Sequence, residues 1–138
     1  MATVWLLEDT DSDVRAFRSA LNEVGEFHLE VFANSAAAVE RLADIADSAS
    51  TLPSLIVVDL LLSNSSGYDF LRFYHSNKSL KGIPLLVWSV NDAEHDKKMS
   101  GWMGALTLIS KRSGPSTLRK SLAKALPISS GTASQSPR

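Results

Sequence analysis

Cysteine is absent from the 138-residue chain, which excludes disulfides, thiolate metal sites and cysteine nucleophiles. No apolar run approaches the ~20 residues that span a bilayer. The chain also lacks Lys/Arg runs, and its net charge of −1 provides no field for gripping nucleic acid. The first apolar run begins at Val4 without a preceding basic region or a small-residue cleavage site. We therefore expect a cytoplasmic protein without nucleic-acid or membrane partners.

The remaining composition is that of an ordinary globular domain. Apolar residues make up 44% of the chain and charged residues 21%, close to the average for soluble proteins. The length suits one domain with a sizeable core. We assign residues 1–126 to this domain. Residues 127–138 are Ser-rich with little to bury, and we expect them to form a disordered tail.

Short apolar runs alternate with amphipathic segments along the chain. The expected strands are residues 3–7, 29–32, 55–59, 83–90 and 106–109. Asp11 or Ser12 is expected to cap the first helix, and Asn34 or Ser35 the second. The pattern also predicts a loop over 47–53, a weak fourth helix over 92–103 and a last helix starting near Pro115. This alternation is typical of an α/β protein with a doubly wound, five-stranded parallel sheet covered by helices on both faces.

Residues suited to handling a phosphoryl group follow these strands, where ligands of parallel sheets gather. Glu8 and Asp9 follow the first strand, Asp59 ends the third, Ser89 ends the fourth and Lys111 follows the fifth. Carboxylates can hold Mg²⁺ or act as nucleophiles, whereas lysine and serine can stabilise phosphoryl oxygens. Taken singly, each residue is as readily explained as a helix cap, a turn residue or a solvent-facing side chain. Their joint placement indicates one site.

Two further acidic residues, Asp11 and Asp13, have a different explanation. Both follow the acidic pair in the first turn of the expected helix. The helix dipole favours acidic side chains there. We therefore interpret them as helix-start residues and exclude them from the predicted metal ligands.

These motifs resemble those of a response-regulator receiver domain, the phosphoacceptor module of two-component signalling. Residues 6–9 resemble the opening strand and acidic pair of that family, and residues 56–60 with Gly67 resemble its phosphoacceptor segment. Ser89 and Lys111 occupy the positions of its Ser/Thr and lysine. The resemblance covers about residues 3–126. It implies a flavodoxin-like fold with strand order 2-1-3-4-5.

The resemblance also implies a role for each residue of the site. Asp59 would accept a phosphoryl group, Ser89 would follow that group, and Lys111 would pair with it. Mg²⁺ would be held by Glu8, Asp9, Asp59 and the backbone carbonyl of Leu61.

A stand-alone response regulator is the function that follows from this resemblance and from the short tail. It would signal through protein contacts or onward phosphotransfer, and it would not be an enzyme beyond its own Mg²⁺-dependent phosphorylation and dephosphorylation. The implied partner is a sensor histidine kinase or a phosphotransfer protein, and a homodimer is compatible with the resemblance. Neither the pathway nor the downstream target follows from the sequence.

Several positions depart from the family pattern. Arg112 replaces a proline that follows the lysine in a cis peptide, which leaves the isomer of the Lys111–Arg112 bond open because a cis bond costs ~2.5–4 kcal/mol without proline. Ile109 replaces the aromatic residue whose rotamer couples to the serine, and Val90 replaces a smaller residue. Trp88 is expected to serve packing rather than switching, as is Trp102 in the fourth helix.

Three alternatives compete with this interpretation. A receiver-like interaction module that works without phosphorylation is favoured by Arg112 and Ile109, whereas the intact acidic and lysine positions oppose it. An aspartyl-nucleophile phosphatase would need a second acid two residues after Asp59, where the chain has Leu61. A nucleotide- or flavin-binding domain would need a Gly-rich phosphate loop after the first strand, and none is present there.

Overall fold

Strands and helices alternate along the whole of the chain that the computed structural model describes, residues 1–45 and 52–127. The elements are β1 (Thr3–Leu7), α1 (Asp11–Val24), β2 (His28–Phe32), α2 (Ser35–Ile45), β3 (Leu55–Val58), α3 (Gly67–Ser76), β4 (Leu85–Ser89), α4 (Glu94–Trp102), β5 (Leu108–Ser110) and α5 (Gly114–Ala125). Short 3₁₀ turns cover Lys78–Leu80 and Lys111–Ser113. Except for Pro127, the predicted tail lies outside the described residues, as does most of the predicted 47–53 loop.

The sheet is parallel, and its strands lie in the order β2-β1-β3-β4-β5. This confirms the predicted fold class and strand order. Leu7 of β1 lies beside Val58 of β3, and Val58 lies beside Val87 of β4. Ser89 at the end of β4 lies beside Ser110 at the end of β5. The carboxyl ends of these strands therefore meet along one edge.

Each face of the sheet has its own apolar core because successive side chains of a strand point to opposite faces. Trp5 and Leu7 of β1 point toward α2 and α3, where they pack with residues such as Leu42 and Phe70. The opposite face packs against α1 and α5, and its core includes the following residues: Val4, Leu6, Phe17, Leu21, Val57, Ile109, Leu118 and Leu122. The two layers of helices stabilise the sheet, because burying each large aliphatic side chain contributes about 1.5–3 kcal/mol.

Some predicted element boundaries differ from the structure. Helix α1 starts at Asp11 with Thr10 at its N-cap, so the prediction of Asp11 or Ser12 as the cap is wrong. The cap of α2 is confirmed, since Asn34 Oδ1 accepts a hydrogen bond from Ala37 N at 2.8 Å. Strand β5 begins at Leu108, two residues later than predicted. The residues before this strand form a turn after α4, in which Ala105 N donates a hydrogen bond to Ser100 O.

Helix α4 buries polar rather than apolar side chains along its length. Its buried residues are Asp96 and Ser100, and Tyr68 of α3 donates a hydrogen bond from its hydroxyl to Asp96 Oδ1 at 2.6 Å. Trp102 at the end of α4 is 69% exposed and stacks on His75 of α3 at a centroid distance of 4.7 Å. A hydrogen bond and an aromatic contact, rather than an apolar stripe, therefore attach α4 to its neighbour α3.

Trp88 is buried in the core between β4, α1 and α5, where it packs against Phe17 at a centroid distance of 5.6 Å. The expectation that it serves packing therefore agrees with its position. In the described parts of the chain, no helix is long and apolar enough to cross a membrane.

Gly67, the first residue of α3, lies where the backbone folds back on the end of β3. A Cβ atom there would be 2.1 Å from the carbonyl oxygen of Asp59. We predict that Gly67→Ala lowers the free energy of unfolding by about 3 kcal/mol or more, because the rigid backbone would have to move. Urea denaturation provides the measurement. Gly101→Ala is the matched control, since a Cβ there meets nothing within 4 Å, and a loss of equal size in both variants would contradict the steric explanation.

Candidate functional site

Strand alternation places three charged side chains on one face of the sheet, at its carboxyl edge. Glu8 continues the face of Leu6, Asp59 continues that of Val57, and both preceding residues pack on α1 and α5. Lys111 follows β5 within the turn that leads to α5. All three groups are thus directed toward the gap between the ends of α1 and α5, above the apolar core.

Lys111 joins the acidic residues of this edge. Its Nζ lies 2.7 Å from Glu8 Oε1, 2.9 Å from Asp59 Oδ2 and 2.6 Å from Asp13 Oδ2. The ammonium also lies 4.8 Å from the centroid of the Trp88 ring, a cation–π distance. Glu8 and Asp59 are both almost fully buried. Their charges need a nearby cation, and Lys111 provides it.

Asp13 is the member of this cluster that the sequence interpretation missed. It lies in the first turn of α1, as predicted, yet its carboxylate also binds Lys111. The signal was its spacing, because Asp13 precedes Phe17 by four residues and Leu21 by eight, on the stripe of α1 that faces the sheet. The helix-dipole explanation accounts for its position in the helix but not for the direction of its side chain.

The buried cluster shifts the protonation of its members. Burial raises the pKa of Glu8 to about 7; the Lys111 hydrogen bond opposes this shift, and the charge of Asp59 reinforces it. Burial alone would lower the pKa of Lys111, but its hydrogen bonds to Asp13, Glu8 and Asp59 raise it above the ordinary lysine value. Lys111 therefore remains charged near neutral pH, and Glu8 is the group of the pair whose titration moves into the neutral range.

Asp9 and Leu61 lie beside this cluster, in the loops after β1 and β3. Asp9 Oδ2 accepts a hydrogen bond from Ser63 N at 2.5 Å. Hydrogen bonding to Ser63, first from its side chain and then from its backbone, lowers the pKa of Asp9. Leu61 N donates to Asp59 Oδ1 at 3.1 Å. Asp59 is consequently held at both oxygens, by Leu61 on one side and Lys111 on the other.

The predicted metal ligands have the right chemistry for a hard cation, because they combine carboxylates with a backbone carbonyl. Glu8 and Asp59 share Lys111 as their counter-charge, whereas Asp9 is engaged with the backbone of Ser63. Among the described residues, no three His, Cys, Asp or Glu side chains are gathered tightly enough to hold a metal ion. The donor set fits Mg²⁺, although the side chains lie in a lysine-bound arrangement.

Ser89 lies at the same edge, fully buried at the end of β4. Its Oγ accepts a hydrogen bond from Asn91 N at 3.1 Å. Because this bond uses an acceptor position, the hydroxyl hydrogen of Ser89 is available as a donor. Strand alternation places Ser89 on the face opposite to Trp88, which distinguishes it from the groups around Lys111.

The departures from the family pattern have clear structural outcomes. No cis peptide bond occurs in the described residues, so the Lys111–Arg112 bond is trans. Ile109 is buried in the core against α1 and α5, and Val90 is 38% exposed in the loop after β4. An aromatic rotamer switch is therefore absent from position 109, which an aliphatic core residue occupies.

The displaced titration of Glu8 predicts a pH-dependent stability. Its pKa is about 7 in the folded protein and 4.5 ordinarily, so the folded state binds this proton more tightly. The resulting stabilisation is full below pH about 4.5 and is lost as pH rises through about 7. We expect Glu8→Gln to gain about 1–3 kcal/mol in free energy of unfolding relative to the wild type between pH 5 and pH 8.

Denaturation in the presence of a chelator measures this difference. Glu23→Gln is the control, since Glu23 lies near the end of α1 away from the site and has an exposed side chain. If the free energies of unfolding of Glu8→Gln and wild type vary with pH in parallel, the raised pKa of Glu8 is contradicted.

Comparison with known proteins agrees with this geometry. No family model matches the chain. The KDP operon transcriptional regulatory protein KdpE of Escherichia coli (strain K12) is 30% identical over 137 residues, which cover 99% of this chain and 56% of that protein. The chain thus spans about half the length of this relative.

Solved structures resemble the whole domain. The Mn²⁺-bound form of response regulator Rcp1 has a TM-score of 0.74 and 24% identity, and the match covers 90% of this chain and 91% of that one. The phosphorylated cyanobacterial phytochrome response regulator RcpA has a TM-score of 0.73 and 25% identity, with 89% of each chain covered. These similarities show that the described chain has the fold of response-regulator receiver domains.

Proposed function

We propose that the chain is a stand-alone response regulator that accepts a phosphoryl group on Asp59 in a Mg²⁺-dependent reaction. The observation that carries this proposal is the state of Asp59 itself. Its carboxylate is buried at the sheet edge, and its two oxygens are held by Leu61 N and Lys111 Nζ. Such restraint orients a weak nucleophile for attack.

The reaction is a transfer between a phosphohistidine and a carboxylate. An oxygen of Asp59 attacks phosphorus, the bond from phosphorus to the donor nitrogen breaks, and the imidazole leaves with a proton. Lys111 then pairs with a phosphoryl oxygen, and the hydroxyl of Ser89 donates to another. The product is an acyl phosphate on Asp59.

A divalent cation would be held by Glu8, Asp9, Asp59 and the carbonyl of Leu61. When bound, Mg²⁺ would neutralise charge on the transferring phosphoryl group. The Mn²⁺-bound state of Rcp1 supports divalent-metal binding in a similar fold. The residues of this chain contribute the buried charges that make a cation favourable at this edge.

The remaining parts of the proposal concern partners and context. A sensor histidine kinase or a phosphotransfer protein would donate the phosphoryl group in the cytoplasm, and the signal would leave through protein contacts, onward transfer or a homodimer. The chain would perform no chemistry on other substrates. The similarity to KdpE and to the phytochrome response regulator RcpA supports a two-component context.

A second candidate is a receiver-like module that binds partners without being phosphorylated. The observation that favours it is that Lys111 bonds to Glu8, Asp13 and Asp59 at once. Each of these carboxylates therefore already has a cationic partner without a metal ion or a phosphoryl group. The two candidates differ in whether Asp59 reacts.

Asp59→Asn tests that difference. We expect wild-type protein incubated with acetyl phosphate and Mg²⁺ to gain the mass of one phosphoryl group, whereas Asp59→Asn gains none because an amide is not a competent nucleophile. Mass spectrometry of the intact protein provides the measurement. Asp44→Asn, an exposed residue of α2, should label like wild type. An unlabelled wild type would favour the interaction module.

Lys111→Met tests the exchange of one cation for another. Removing the ammonium leaves three neighbouring carboxylates without their partner, and we expect a loss of about 3–5 kcal/mol in free energy of unfolding with chelator present. Added Mg²⁺ should restore part of this loss and stabilise Lys111→Met more than wild type. Thermal unfolding with and without Mg²⁺ measures both effects.

The control for this variant is Lys120→Met, an exposed position on α5. It should match wild type in stability and in its response to Mg²⁺. Equal stabilisation of all three proteins by Mg²⁺ would show that the ion does not bind at the carboxylates around Lys111.

A further inference from the structure

A polar network connects the loop after β4 to the residues that follow β5. Asp92 Oδ2 accepts hydrogen bonds from Ser110 Oγ at 2.5 Å and from Arg112 Nη1 at 2.6 Å. The same Nη1 donates to Val90 O at 3.2 Å. We call these three side chains, Asp92, Ser110 and Arg112, the loop latch. It joins both ends of the segment 90–92 to the turn before α5.

Further hydrogen bonds hold the residues of the loop latch that follow β5. Ser110 Oγ accepts a hydrogen bond from Arg112 N at 3.1 Å, so its hydroxyl hydrogen is directed to Asp92. Ser113 Oγ donates to Ser110 O at 2.6 Å. Hydrogen bonds from Ser110 and Arg112 lower the pKa of Asp92, which keeps its carboxylate charged and acceptor-only.

The position of the latch relates it to the two groups that would meet a phosphoryl oxygen. Val90 directly follows Ser89, and Arg112 directly follows Lys111. Within the same loop, Asn91 N donates to Ser89 Oγ. The latch therefore acts on the backbone immediately beside the hydroxyl donor and immediately beside the ammonium, without touching Asp59 itself.

The exposure of the loop latch indicates that it affects the position of the loop more than the stability of the whole domain. The side chain of Arg112 is 67% exposed, and exposed ion pairs contribute little to the stability of a whole domain. A loop of four residues before a helix is held by few contacts, so the same interaction can decide its position. Loss of the latch should consequently move the loop while the fold remains.

We propose that Asp92 and Arg112 are positioning residues that hold the loop after β4 so that Ser89 and Lys111 converge on a phosphoryl group at Asp59. This inference rests on the proposed function of Asp59. Removing either side chain would let the loop sample other positions, which reduces the time that the Ser89 hydroxyl is available to the reacting group.

Labelling with acetyl phosphate and Mg²⁺ tests the latch. We expect Arg112→Ala and Asp92→Ala each to slow phosphorylation of Asp59 by about 3- to 10-fold, with the double variant no slower than the slower single one. The charge-exchanged pair, Asp92→Arg with Arg112→Asp, should regain part of the rate. Arg119→Ala is the control, since it removes a partly exposed arginine that pairs with Glu23 at the end of α1 away from the site.

A second measurement separates positioning from general damage. Hydrogen exchange of Asn91 N–H should become faster in Arg112→Ala, while the melting temperature stays close to that of wild type. Additive losses in the double variant, unchanged rates or faster labelling would each overturn the role of the latch. If wild type itself is not labelled, the proposed function fails, and this inference fails with it; if wild type is labelled and the variants match it, only the latch fails.

Discussion

The ammonium of Lys111 is the interaction on which the carboxyl edge of the sheet depends. It binds carboxylates that arrive from β1, α1 and β3, and two of these carboxylates are almost fully buried. Without a cation, their mutual repulsion and desolvation would oppose the close pairing of β1 with β3. The raised pKa of Glu8 is the part of this cost that the lysine does not remove. A fold built around such a cluster has a strong preference for a positive charge at one location.

The same constraint bears on the phosphoryl transfer proposed for this site. A divalent cation is positive and a phosphoryl group is negative. In the proposed reaction the carboxylates would bind the cation in place of Lys111, and Lys111 would bind the phosphoryl group. Asp59 is the natural centre of this exchange because its oxygens are held from two directions. Asp13 gives the ammonium a partner from α1 that is not one of the predicted metal ligands.

The chain differs from the family pattern mainly where β4 and β5 end. Ile109 is part of the apolar core, and the peptide bond before Arg112 is trans. The two loops are joined there by hydrogen bonds among the polar side chains of Asp92, Ser110 and Arg112. Polar links of this kind depend on charge and geometry rather than on an aromatic rotamer, and exposed ones respond to ionic strength. Helix α4, which follows the first of these loops, is also attached to α3 through a polar contact, from Tyr68 to Asp96.

The sequence by itself determined the alternation of strands and helices, the parallel sheet and the residues at its carboxyl edge, since these depend on local periodicity and on the rule that parallel strands end together. It also indicated Glu8, Asp59 and Lys111 as neighbours. Only the tertiary structure decided that Asp13 joins them and that Arg112 reaches back to Asp92. The physical reason is separation along the chain: Lys111 meets Asp13 across 98 residues, and contacts of that range depend on how helices pack on the sheet and how far each side chain reaches, which no local pattern encodes.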